Sequence, residues 1–198
     1  LDKKYPGVTE YISDKVGKKG KEVMLIYNKA LAVTPITTHM PLNKIFKKIS
    51  IKQIVTKVTE VDKFYKNFLN KNAKIGITGL NPHCESSNKV KEEEKIITPA
   101  IKKLKKKGIK ISGPFPADTI FLKKNRTNLD VIVGMYHDQV LSPIKTLFEF
   151  CAINITLGLP FIRITPDHGP NNMMLGKNKS DPSSLIEAIK FIKNLRGN

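Results

Sequence analysis

Three histidines in this sequence each follow an apolar, strand-like run. Met135-Tyr136-His137-Asp138-Gln139 comes directly after Leu129 to Gly134, a β-branched run that predicts a buried strand, and His39 and His83 have similar positions. Ligands of α/β sheets bind at the carboxyl ends of strands, and neutral imidazoles bind divalent metals. The pattern predicts either a three-histidine metal site with one position open to substrate, or three ordinary loop histidines.

Charged side chains near these histidines add to the candidate site. Asp118 and Asp138 are candidates for acid–base catalysis or for orienting metal ligands. Propensity alone offers a second interpretation of Asp118, as the cap of a helical turn. Lys145 and Arg163 suit an anionic substrate, although Lys145 could equally be one more surface lysine. Arg163 lies inside an apolar run, where a guanidinium needs a partner.

Strands and helices alternate along the chain, which predicts an α/β fold. A capping-box pattern at Ser50 opens a long amphipathic helix, and a final helix is predicted from Asp181. Thr9 is a possible cap of the first helix. A hairpin is predicted from strands over 22–27 and 31–34, and further strands over 73–79, 109–112, 129–134, 152–157 and 161–165. A rigid loop is predicted over 113–118. One more helix is predicted to begin at 92–94, and another to run over 139–150 with an interruption near Pro143.

Composition limits the possible functions. The chain has 198 residues, 40% of them hydrophobic, which is enough for a real core. No apolar run approaches the roughly 20 residues that span a membrane, and the first residues are not a signal peptide. The net charge is +18, but the lysines are scattered and only three arginines occur, so we expect a basic surface rather than a nucleic-acid partner.

Two cysteines are too few for a disulfide framework. Cys84 and Cys151 lack metal-type spacing, and we interpret both as free thiols in a reducing, cytoplasmic compartment. Cys84 follows His83 directly, which leaves a soft metal ligand as its alternative role.

Seven motifs in order closely resemble the 4-hydroxythreonine-4-phosphate dehydrogenase family of pyridoxal phosphate biosynthesis. Together they are far more specific than any one of them, and they cover nearly the whole chain. The motifs are Pro6-Gly7-Val8-Thr9-Glu10, Thr37-Thr38-His39-Met40-Pro41-Leu42, Gly79-Leu80-Asn81-Pro82-His83, Gly113-Pro114-Phe115-Pro116-Ala117-Asp118-Thr119, Met135-Tyr136-His137-Asp138-Gln139, Asn154-Ile155-Thr156-Leu157-Gly158-Leu159-Pro160-Phe161-Ile162-Arg163 and Asp167-His168-Gly169.

The resemblance implies a fold and a chemistry. The fold would be three-layered, with a mixed sheet, like that of isocitrate and isopropylmalate dehydrogenases, and two subunits would share their active sites. The reaction would oxidise a phosphorylated hydroxy amino acid with NAD or NADP and a divalent metal (Zn, Mg or Co). Matching motif by motif, the resemblance implies that the metal ligands are His39, His83 and His137, drawn from both subunits. The residues that bind substrate would be Thr9, Lys145, Asn154 and Arg163. The acidic residues near the reacting groups would be Asp118 and Asp138. His168 belongs to a motif near the cofactor and is not implied as a ligand.

Three departures from the family pattern concern the substrate and cofactor. Val8 replaces a histidine, Cys84 to Asn88 replaces a glycine-rich run, and Pro170-Asn171 replaces Thr-Ala. A related metal-dependent dehydrogenase that acts on another hydroxy acid or on a dihydrodiol therefore remains an alternative, as does a non-catalytic basic binding module. Family members also carry a further domain before the first motif. We therefore expect 1–168 to be a metal-binding, dimer-forming α/β domain and 169–198 to return to that further domain.

Overall fold

One mixed seven-stranded sheet organises the molecule. In the computed structural model, the described residues are Tyr5, 7–85, 91–169 and 172–196. The strands are β1 (Val23–Asn28), β2 (Leu31–Pro35), β3 (Ile75–Thr78), β4 (Ile111–Phe115), β5 (Val131–Gly134), β6 (Ile153–Leu157) and β7 (Arg163–Pro166). Their order in the sheet is β4-β3-β5-β2-β1-β6-β7. The predicted α/β fold with a mixed sheet is confirmed.

Helices cover both faces of this sheet. They are α1 (Val8–Lys15), α2 (Leu42–Lys48), α3 (Ile51–Leu69), α4 (Thr98–Lys106), α5 (Ala117–Ile120), α6 (Lys123–Arg126), α7 (His137–Phe148) and α8 (Ser183–Arg196), and a π-helical turn, Glu93–Ile97, precedes α4. Side chains alternate across a strand, so β1 sends Val23 and Leu25 to the layer of α3 and α4, and Met24 and Ile26 to the layer of α7. Two apolar cores and one sheet therefore make three layers. None of the helices in the described ranges could cross a bilayer.

Strand pairing explains which strands share an edge. β2, β5 and β3 pair in parallel, so their carboxyl ends lie at one edge of the sheet. β1 and β2 form the predicted antiparallel hairpin, and β6 pairs antiparallel with β1. β6 therefore runs in the direction of β2, and its carboxyl end lies at that same edge. β7 returns antiparallel to β6 and begins there.

The predicted helix starts were partly right. The side chain of Ser50 caps α3 by accepting a hydrogen bond from the Gln53 amide at 3.2 Å. Gln53 does not close the predicted capping box: its Oε1 accepts no hydrogen bond within the described residues, while its Nε2 donates to the Ile36 carbonyl. α8 begins at Ser183, two residues after the predicted start at Asp181, and the Ser183 amide donates a hydrogen bond to the Asp181 side chain at 2.8 Å.

Four local predictions were wrong. Thr9 lies inside α1, whose N-cap is Gly7. Asp118 lies in the first turn of α5, whose N-cap is Pro116. β4 extends to Phe115 because it pairs with β3 up to Thr78, so half of the predicted loop is strand. α7 runs through Pro143 without a break, since packing against β2 and β5 holds it over the sheet.

Candidate active site

The histidine-bearing loops leave the sheet side by side. His39 follows β2, His83 follows β3 and His137 opens α7 after β5, and these three strands are neighbours in the sheet. The Thr37 hydroxyl donates to the Met135 carbonyl at 2.8 Å, which ties the first loop to the third. The three histidine-bearing loops therefore lie at one edge of the sheet, as predicted, and it is the order of the strands that places them there.

His39 and His137 lie close together. Their ring centroids are 5.8 Å apart. Nδ1 of His137 lies 2.9 Å from Asp138, and Nδ1 of His39 lies 3.5 Å from Glu10. A carboxylate that accepts from a protonated Nδ1 leaves Nε2 with its lone pair free, which is the usual arrangement around a metal-binding histidine. The two imidazoles thus fit the donor chemistry of a divalent transition metal.

His83 is not gathered with that pair in a single chain. It lies on a 3-10 turn, Pro82–Cys84, with an exposed side chain and a φ of 56°. Across the described ranges, no group of three or more histidine, cysteine, aspartate or glutamate side chains is arranged to hold a metal ion. The structure therefore brings two of the three predicted ligands together and leaves the third on the adjacent loop.

Asp118 lies beside the turn that carries His83. α5 packs next to Pro82–Cys84, and the charge of Asp118 contributes to the environment of Cys84. Burial is the main reason that the pKa of the Cys84 thiol is raised, with smaller contributions from Glu93 and Asp118. Both cysteines are free, as predicted, and Cys84 favours the neutral thiol over a metal-binding thiolate.

The Glu10–His39 contact predicts a pH-dependent stabilisation of the metal-free protein. A hydrogen bond from His39 lowers the pKa of Glu10 below 4.5, and the same bond raises the pKa of His39 above 6.5. The contribution of Glu10 is lost as the pH falls through its lowered pKa, and that of His39 is lost as the pH rises through its raised pKa. The pair is therefore most stabilising between these two values.

We expect Glu10→Gln to lower the pKa of His39 in the metal-free protein, because the amide carries no charge to stabilise the imidazolium. An NMR titration of the histidine ring protons measures this directly. His168, whose Nδ1 contacts the Gly169 carbonyl instead, provides the control in the same spectra and should be unchanged. An unchanged His39 pKa would show that Glu10 does not control its protonation.

Arg163 and Thr9 meet at the same sheet edge. The Arg163 guanidinium donates to the Thr156 hydroxyl at 3.0 Å and to the Thr9 hydroxyl at 3.3 Å. Within the described ranges it forms no ion pair, so its partners are neutral hydroxyls. A half-buried guanidinium without a carboxylate partner favours an anionic ligand.

Asn154 shares the strand face of this arginine. It lies two residues before Thr156 on β6, so both side chains point to the same side of the sheet. Its side-chain oxygen Oδ1 is buried and has no hydrogen-bond donor in the described structure. A buried acceptor without a partner is costly, so the position suits a ligand that brings a hydroxyl or amino group.

Lys145 has a partner inside the chain. Its Nζ lies 2.8 Å from Oδ2 of the buried Asp167 and also donates to the Asp167 carbonyl. Burial raises the pKa of the Asp167 carboxyl, and Lys145 partly offsets this, with smaller contributions from His168 and His137. Lys145 is therefore not simply one more surface lysine, because its ammonium group forms an ion pair with the buried Asp167 carboxylate.

Four residues with clear roles were not chosen from the sequence. Glu10 and Asp167 lie inside recognised motifs, and their motif positions were the only signal available. Gln139 and Glu93 are buried polar side chains, 8% and 5% exposed, that bond to the loops of the histidines. Gln139 ends the motif that begins at Met135, but its bond to the Gly79 carbonyl and the bond of Glu93 to the Asn81 amide were not predictable, because these partners lie about 60 and 12 residues away in sequence.

The fold and the site define an α/β protein with a half-buried arginine, bonded to two hydroxyl groups, and paired histidines at one sheet edge. Residues 2–192 match the family model described as pyridoxal phosphate biosynthetic protein PdxA. The chain belongs to this family.

Curated relatives in this family are named 4-hydroxythreonine-4-phosphate dehydrogenase. The protein from Sulfurihydrogenibium sp. (strain YO3AOP1) is 43% identical over 189 residues, which are 94% of this chain and 58% of the relative. The protein from Bradyrhizobium diazoefficiens is 40% identical over 197 residues, 97% of this chain and 57% of the relative. The chain thus spans less than two thirds of the length of these relatives, and the relatives are dehydrogenases by name.

Solved structures agree with the fold. A putative 4-hydroxythreonine-4-phosphate dehydrogenase from Salmonella typhimurium superimposes with a TM-score of 0.82 at 35% identity, covering 96% of this chain and 58% of that one. A terephthalate 1,2-cis-dihydrodiol dehydrogenase from Burkholderia xenovorans LB400 gives 0.75 at 22% identity, covering 95% and 60%, which supports the fold alone.

Proposed function

We propose that the full-length protein oxidises 4-phosphohydroxy-L-threonine with NAD or NADP. The secondary alcohol gives its hydride to the nicotinamide and its proton to a base. The resulting β-keto acid then loses carbon dioxide to give 3-amino-2-oxopropyl phosphate. The observation that carries this proposal is the half-buried Arg163, whose partners among the described residues are hydroxyl groups, in a chain whose relatives are named for a phosphorylated substrate.

The chain's own residues have separate roles in this proposal. Arg163, with Thr9, binds the phosphate or carboxylate, and Asn154 accepts a hydrogen bond from the substrate through its buried Oδ1. Asp118 and Asp138 are the candidate acid–base residues. Lys145 is a further candidate for binding the substrate, although its present partner is Asp167. We assign no residue to the cofactor, and the cofactor motif at Pro170-Asn171 lies outside the described residues.

A divalent ion would be held by His39, His83 and His137. When bound, it would act as a Lewis acid that polarises the reacting oxygen. We also propose that two copies of the chain complete each site and that the reaction takes place in the cytoplasm. The separation of His83 from the other two histidines supports a shared site, because a second copy could supply the missing ligand.

An assay of NADH or NADPH formation by the full-length protein tests the substrate. We expect turnover of 4-phosphohydroxy-L-threonine and weaker turnover of phosphorylated threonate, erythronate and aromatic cis-dihydrodiols. A dehydrogenase of one of these other substrates is the second candidate function. Val8 favours it, because the Val8 side chain is 43% exposed beside Thr9 and cannot make a polar contact with the substrate. Turnover of a dihydrodiol alone would reassign the substrate, and no turnover of any of them would refute the dehydrogenase proposal.

The metal ligands give a second test. We expect His137→Ala to abolish tight binding of a divalent metal, whereas His168→Ala should largely spare it, because His168 contacts a backbone carbonyl and not the paired histidines. Elemental analysis of both purified variants measures the metal content. Equal losses in the two variants would contradict the choice of ligands.

A further inference from the structure

The turn that carries His83 is held in place by two buried polar side chains. It leaves β3 through Gly79, Leu80 and Asn81, where Leu80 packs partly against the core while His83 is exposed. Within the described residues, the side chains of Gln139 on α7 and Glu93 before α4 form hydrogen bonds to the backbone of this turn.

Gln139 connects the ends of two strands. Its Oε1 accepts from the Met135 amide at 2.6 Å and from the Thr78 hydroxyl at 2.9 Å, and its Nε2 donates to the Gly79 carbonyl at 2.9 Å. Met135 is two residues before His137, and Gly79 is four before His83. One amide side chain therefore links the loops of two predicted metal ligands.

The space around Gln139 is closely packed. A Cβ on Gly134 would lie 3.1 Å from Oε1 of Gln139 and 2.5 Å from Cγ1 of Val140. Gln139, Thr78 and Met135 are all buried. Water cannot easily replace a lost bond in such a place, so the loss would move the strand ends rather than be absorbed.

Glu93 holds the same turn from the other side. Its Oε1 accepts from the backbone amides of Leu80 at 2.9 Å and Asn81 at 2.8 Å, and its carboxylate also accepts from the Asn81 side chain at 3.2 Å. Bonds to a charged acceptor are stronger than bonds to a neutral one. The turn is therefore fixed at its carbonyl by Gln139 and at its amides by Glu93.

We propose that Gln139 and Glu93 are positioning residues that fix the His83 turn and the start of α7, and so set the geometry in which each chain presents His83 and His137 to the metal site. This inference rests on the proposed metal-dependent function. Neither side chain is one of the proposed ligands, so both would act through the backbone of the ligand loops. Residues that orient metal ligands in this way usually change metal affinity by about 10- to 100-fold when they are replaced.

Co²⁺ titrations of the full-length protein, followed by its d–d absorption bands, test this inference. Gln139→Met keeps the length of the side chain but removes all three bonds, and we expect Co²⁺ affinity to fall about 10- to 100-fold with altered bands. Glu93→Ala should act in the same direction. Glu93→Gln retains Oε1 for the two backbone amides and should stay much closer to the wild type.

Thr34→Val is the matched control. It removes another buried bond of the same sheet, from the Thr34 hydroxyl to the Met24 carbonyl at 2.6 Å, with no link to the His83 turn. We expect it to lose stability without changing the Co²⁺ bands. Should Gln139→Met fail to fold, Thr78→Val removes only one of the three bonds and should give a smaller loss of affinity.

The outcomes separate the two proposals. Wild-type affinity and bands in both Gln139→Met and Glu93→Ala, or equal losses in Thr34→Val, would overturn the positioning roles while leaving the metal site intact. A wild-type protein that binds Co²⁺ no better than His137→Ala would overturn the metal site and this inference together.

Discussion

Replacing Arg163 with methionine is expected to lower kcat/KM of the full-length protein by roughly 30- to 4,000-fold. Removing one partner of a buried, hydrogen-bonded charge pair costs about 2–5 kcal/mol, and about 1.4 kcal/mol corresponds to a tenfold change. The guanidinium has only Thr9 and Thr156 as partners in the described structure, so most of its charge is available to the substrate. Steady-state kinetics of NADH or NADPH formation measure the effect.

Two further variants show whether charge or shape matters at this position. Arg163→Lys keeps the charge but loses the planar fork of donors, and should fall between the wild type and Arg163→Met. Lys63→Met changes the net charge equally at an exposed lysine that pairs with Glu60, and should leave kcat/KM within about twofold. A value within about threefold of the wild type in Arg163→Met would remove Arg163 from the substrate site.

Gly158→Ala is expected to give the largest loss of stability among the predicted variants. Gly158 has a φ of +79°, and a Cβ there would lie 2.1 Å from the backbone oxygen of Lys21. The left-handed backbone costs an alanine about 1–2 kcal/mol, and forced overpacking adds about 1–3 kcal/mol. We therefore expect roughly 2–5 kcal/mol in the free energy of unfolding, measured as a shift of the urea denaturation midpoint.

Gly20→Ala separates the two contributions. Gly20 has a φ of +76°, close to that of Gly158, but a Cβ there has no heavy atom within 4 Å. This variant should show only the backbone cost. Because Gly158 lies between Thr156 and Arg163, its replacement should also reduce activity before the protein unfolds. Equal destabilisation by the two variants would show that the turn relaxes away from Lys21.

The elements themselves were largely predictable. The hairpin of β1 and β2, the capped start of α3 and the strand before His137 follow from apolar periodicity and from side chains that bond within a few residues. The ordered motifs indicated the family, and the match over residues 2–192 shows it. These features depend on short-range physics or on the sequence pattern itself, so a single chain contains enough information for them.

The tertiary structure decided which loops and side chains become neighbours at the edge of the sheet. The order β3-β5-β2 makes neighbours of loops that are about 40 to 100 residues apart in sequence, and it brings His39 to His137 while His83 stays on the next loop. The tertiary structure also brings Lys145 into contact with Asp167, although the sequence around Lys145 was equally consistent with a solvent-exposed lysine.

Gln139 and Glu93 show the physical reason for this division. Each is a polar residue next to an apolar segment, and local propensity would place its side chain in water or at a helix terminus. Burial removes that option, and each side chain must then bond to whichever backbone groups the fold brings close. The sequence determined which elements form and which groups can do chemistry, and the packing of the sheet decided which of those groups meet.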